Sequence, residues 1–188
     1  MKYPLAAAVS AAAPALIPAA ALAHPGHGHA EAGPFLAGLS HPLAGADHLL
    51  AMVAVGLWAA SLGGRAAWAL PLCFVLAMVA GGALGAAGVA LPLVEPAILA
   101  SSVVIGAAIA LALRAGLAVV LPVVAVFGLV HGHAHGAEGP GQGLLAYGAG
   151  FVIATALLHL SGIALGRLPM VRWLGAVTAA AGLALAVA

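Results

Sequence analysis

His41-Pro-Leu-Ala-Gly-Ala-Asp-His48 runs without a break into Leu49-Leu-Ala-Met-Val-Ala-Val-Gly-Leu-Trp58. The second half is apolar enough for a bilayer, yet the first half carries two imidazoles and a carboxylate. An ionisable group at mid-bilayer costs roughly 2.5 to 3.5 kcal/mol on insertion scales, so three of them heading one span point to function. Histidine and aspartate in this combination point to a metal ion.

The rest of the chain has the same apolar character. Of its 188 residues, 65% are hydrophobic and 5% charged, and the mean hydropathy is +1.24; soluble domains carry about 25% charged residues. The composition predicts an all-α polytopic membrane bundle whose first partner is the lipid bilayer. The 26 glycines suit close helix approach where lipid supplies no hydrophobic drive between helices. A formal charge of +1 offers no basic patch, which excludes nucleic acid as a partner. Cys73 is the single cysteine and reads as a buried thiol.

Lys2 and the apolar run from Leu5 to Leu22, ending Ala21-Leu22-Ala23, have the three parts of a secretory signal peptide over 1–23. Pro14 and Pro18 make that run a poor permanent span. Residues 24–34 hold His24, His27 and His29 among glycines, a tract that reads either as metal capture or as a solvated linker. After cleavage, the new amino group and the His24 imidazole could chelate one ion together. Residues 35–188 then form the transmembrane domain.

Six apolar segments follow, at about 35–61, 66–88, 93–113, 115–132, 142–165 and 169–187, each near the roughly 20 residues that a crossing needs. Arg65, Arg114, Arg167 and Arg172 all fall in loops on one side of such a bundle. By the positive-inside rule that side is cytoplasmic, which places the mature N-terminus in the periplasm of a bacterial inner membrane.

Two constellations carry the chemistry. On a straight helix His41 and His48 share a face but stand roughly 10 Å apart along the axis, too far for one ion. Pro42 and Gly45 between them mark a kink or break. Either the two rings converge or they are successive stations. Asp47, about a quarter turn from His48, is expected to meet a different helix. The second constellation is His131-Gly-His133-Ala-His135-Gly-Ala-Glu138. If the helix continues through it, His131, His135 and Glu138 share one face and His133 looks elsewhere, with Gly139 and Pro140 ending the helix. His159 lies deeper, in span five, and either joins a descending track or bonds a carbonyl. Glu95 reads as interfacial, and Met52, Met78 and Trp58 as packing.

His41-x5-Asp47-His48 followed by Leu-Leu-Ala-Met, together with the His131 to Glu138 motif, resembles the two signatures of the HupE/UreJ family of nickel or cobalt permeases. Val130 stands where that motif often has Phe. The resemblance covers nearly the whole mature chain. It implies that His41, Asp47, His48, His131, His135 and Glu138 handle metal, and that the protein supplies a metalloenzyme maturation pathway: hydrogenase, urease or cobalamin.

Nickel or cobalt is then cargo and no prosthetic group is expected; nitrogen and oxygen ligands also admit zinc. No GxxxxGK[ST] motif is present, so ATP is not the direct drive. An enzyme is not expected. An intramembrane zinc hydrolase lacks its HExxH or GxSxG motif, and Ser161 beside His159 diverges from it on a helix. A non-transporting accessory protein is the other alternative, and association into a homo-oligomer is left open.

Overall fold

The computed structural model describes residues 33–188 as seven helices: α1 (Gly33–Ala44), α2 (Ala46–Leu62), α3 (Ala66–Ala86), α4 (Val94–Ala110), α5 (Leu117–Ala137), α6 (Leu144–Leu165) and α7 (Val171–Val187). There is no strand among the described residues. The segment expected to be a signal peptide, and His24, His27 and His29, lie outside the described residues. Five of the six expected spans form within a few residues of their expected limits. The first differs.

Instead of one helix over 35–61, the chain breaks at Gly45 and turns by 83° between α1 and α2. Gly45 takes an extended conformation, with φ −104° and ψ 123°. With 12 residues and about 18 Å of length, α1 is too short to cross alone. It is held across the first turns of α6, where a methyl on Gly38 would strike the Tyr147 carbonyl and one on Gly150 the Phe35 carbonyl. Small residues at both crossing points let the two backbones touch.

Other glycine contacts give the directions of the helices. Gly128, Gly132 and Gly136 of α5 lie on Phe74, Met78 and Gly82 of α3, so these two helices run parallel. Gly56 and Gly162 seat α2 along α6, also in parallel, whereas Gly106, Gly175 and Gly182 pair α4 with α7 in antiparallel fashion. Helices α2 to α7 therefore alternate in direction as six crossings would. Helices α3, α5 and α6 are long and apolar enough to cross a membrane, α1 and α2 qualify together as a bent pair, and α4 and α7 are shorter apolar helices of 17 residues. Seventeen residues reach about 25 Å, the short end of a crossing.

The side chains are arranged inside out relative to a soluble bundle. Ser101, His131, Thr155 and His159 are buried, while Leu76, Leu145, Leu160 and Val177 are exposed. Lipid solvates the apolar exterior and the polar groups find each other within. Alternation also gathers Arg65, Arg114, Arg167 and Arg172 at one face. There Arg172 Nε donates to the Ala110 carbonyl at the end of α4, at 3.0 Å. Asp47, Glu95 and Glu138 sit at the opposite face, at the start of α2, the start of α4 and the end of α5. This is a helical membrane bundle with its charges sorted by face.

Candidate metal centre

The break at Gly45 changes what His41 and His48 can reach. His41, on α1, meets the His135 ring edge-on with centroids 4.7 Å apart; His48, on α2, meets the same ring at 4.5 Å. His48 also meets His131 at 5.2 Å. Two motifs separated by more than 80 residues of sequence therefore form one cluster of four imidazoles. The rings lie in mutual contact, where the sequence left convergence and successive stations both open.

Asp47 does not reach out to another helix. Its Oδ1 accepts hydrogen bonds from the backbone N–H and from Nδ1 of His48, each at 2.8 Å. The physical reason is its place in the first turn of α2, where backbone N–H groups lack helical partners and a negative charge is favoured. The bond fixes the tautomer of His48: a carboxylate only accepts, so Nδ1 carries the proton and the neutral ring keeps its lone pair on Nε2. His131 is fixed in the same way, because its Nδ1 donates to the Phe127 carbonyl at 2.8 Å. A carboxylate or carbonyl behind an imidazole is the usual support of a metal-ligating histidine.

The nitrogens on the other side are bare. Nε2 of His48, Nε2 of His131, and both ring nitrogens of His135 and His159 are buried without a hydrogen-bond partner among the described residues. Each such group costs about 1–3 kcal/mol when left unsatisfied. A bound cation would satisfy those of the cluster together. In the present arrangement the rings meet edge-on or tilted, and no group of three or more His, Cys, Asp or Glu among the described residues converges on one ion position. Binding requires the rings to rotate from mutual contact toward a common centre.

The remaining residues sort themselves by contact. Glu138 is exposed at the C-terminal cap of α5, where its N–H still bonds the Ala134 carbonyl, and among the described residues no hydrogen bond or ion pair joins it to the buried imidazoles. His133 faces the other way, as its spacing predicts, and Nε2 donates to the Val89 carbonyl at 2.6 Å, tying α5 to the loop after α3. His159 is buried on α6, and Phe74 of α3 packs on both it and the cluster, with ring centroids 5.1 Å from His159 and 5.5 Å from His131. Ser161 is exposed and bonds the Leu157 carbonyl at 2.9 Å, so it does not face His159. Glu95 is exposed, as an interfacial residue would be, and Met52, Met78 and Trp58 are core.

Sequence reasoning missed Phe74 and the aromatic wall of α6. Tyr147 and Phe151 pack on His41 at 5.8 and 6.1 Å, and Phe151 packs on His135 at 4.3 Å. Their signal was present: Tyr147, Phe151, Thr155 and His159 recur every fourth residue, a single helical stripe, and all four are buried. Phe74 had no such signal in an apolar helix.

The family described as HupE / UreJ protein matches residues 12–188. Protein HupE of Rhizobium leguminosarum bv. viciae is 47% identical over 154 residues, covering 79% of this chain and 81% of that protein. No solved structure matches the chain. The chain belongs to the HupE/UreJ family.

Proposed function

We propose that the protein is a permease that imports a divalent transition-metal ion, nickel first and cobalt next, across the bacterial inner membrane. The observation that carries this reading is the pair of oriented imidazoles. Asp47 and the Phe127 carbonyl turn Nε2 of His48 and of His131 into a buried cluster that also contains His135 and His41. Several imidazoles without a thiolate suit nickel, cobalt or zinc better than copper(I), and better than the all-oxygen preference of magnesium or calcium.

Direction follows from the arginines. With their face in the cytoplasm, the cluster lies toward the periplasm. An ion loses water on entering the cluster, is held by neutral nitrogens, and passes the ring of Phe74 to reach His159 on the cytoplasmic side. Glu138, at the exposed outer end of α5, attracts cations toward the entrance. No chemical bond is made or broken in the cargo, so the reading is a transporter and not an enzyme. The delivered metal serves a metalloenzyme maturation pathway.

The test is uptake of radiolabelled nickel and cobalt at trace concentration into cells lacking their own importers. Saturable uptake that is lost in His48→Ala at matched membrane abundance is the expected result. Binding without uptake would make the protein an accessory metal binder, and the permease reading would fail.

A further inference from the structure

We propose that the arginine face carries a binding site for one anionic phospholipid, in the groove between α3 and α5. The groove has a volume of about 630 Å³ and is distinct from the histidine cluster at the other face. Two rails with a four-residue repeat line it. Trp68, Leu72 and Leu76 of α3 form its lip, and Leu117, Leu121 and Ala125 of α5 its floor. Because α3 and α5 run parallel and both begin at the arginine face, the rails lie at the same depth and run along the membrane normal. That is the shape of an acyl chain.

The headgroup end is defined by charge. Arg65 closes the groove at its lower end and is exposed. The one ion pair among the described residues joins Asp47 to His48 at the opposite face, so no described carboxylate neutralises Arg65. Arg114, three residues before the floor begins at Leu117, adds a second positive charge near this level. Trp68, 60% exposed beside Arg65, is the amphipathic residue favoured where hydrocarbon gives way to headgroups. Cationic pockets between helices on the cytoplasmic side are suited to anionic lipid headgroups, and a zwitterionic lipid would bring a positive charge of its own.

The full chain would be purified in mild detergent and given phosphatidylglycerol and phosphatidylcholine of identical acyl chains in equal amounts, and native mass spectrometry would count the lipid retained. The unmodified protein should retain phosphatidylglycerol in preference. Arg65→Gln should reduce that preference about fivefold, as expected for one basic residue at an anionic surface, and Arg65→Lys should restore most of it. Leu121→Trp, which fills the floor with Arg65 intact, should expel the lipid, whereas Arg167→Gln, on the same face but off the groove, should leave retention unchanged. Equal retention of both lipids by the unmodified protein, or an equal loss in Arg65→Gln and Arg167→Gln, would overturn the proposal in favour of a nonspecific lipid annulus.

Discussion

Asp47 and His48 are sequence neighbours whose side chains bond each other at 2.8 Å, through Oδ1 and Nδ1. The bond turns the far nitrogen of His48 toward the cluster. Asp47→Asn keeps the shape but loses the charge. Removing such support typically costs 10–100-fold in metal affinity. The concentration of nickel giving half-maximal uptake should rise by about that factor, while membrane abundance and fold stay unchanged. An unaltered half-saturation would show that Asp47 serves the helix end alone.

Three histidines on α5 make an internal comparison. His131→Ala and His135→Ala should each abolish saturable uptake and the rise in melting temperature caused by added nickel. His133→Ala should leave both intact, since its ring bonds the Val89 carbonyl and not the cluster. Its effect should be a loss of about 1 kcal/mol of stability, the usual contribution of one hydrogen bond. Thermal melting with and without metal separates the two outcomes.

Phe74 is fully buried against both His131 and His159. Phe74→Leu keeps the wall apolar and shortens it, so the maximal rate of uptake should rise several-fold. Phe74→Ala should instead destabilise the bundle by about 3–5 kcal/mol, as large core truncations do. Initial-rate measurements on Phe74→Leu at saturating metal decide the matter, and a fall in rate would leave the ring with a packing role only.

Close helix approach can be tested away from the cluster. A side chain at Gly132 would collide with the Met78 backbone, whereas Gly148 faces open space. Gly132→Val should cost about 1–3 kcal/mol or more through overpacking, seen as lower membrane abundance and melting temperature. Gly148→Ala should be close to neutral.

Much of this architecture was legible from the sequence. Long apolar runs, arginines in alternate loops and the histidine motifs defined a membrane bundle, because lipid leaves a chain few other ways to satisfy its backbone. Pro42 and Gly45 marked the weak point in the first span. The convergence of His41 and His48 was not readable, because it depends on α1 being clamped over α6 through Gly38 and Gly150, more than 100 residues apart. Nor was the partner of His133, which lies 44 residues away. Glu138 was grouped with His131 and His135 by helical spacing, and it caps the same helix in helical geometry, but it is exposed where the two histidines are buried. Spacing gives a shared face, not how deeply each end of it is buried.

The break at Gly45 has an electrostatic side as well. It brings the N-terminal end of α2 to the imidazole cluster, and a helix start carries roughly half a unit of positive charge. Repulsion from that end is offset by the C-terminal ends of α1 and α5, whose last turns hold His41 and His135, and by the Asp47 carboxylate seated in the first turn of α2. The break thus sets helix ends of opposite sign side by side at the imidazoles, so the backbone as well as the side chains balances charge there.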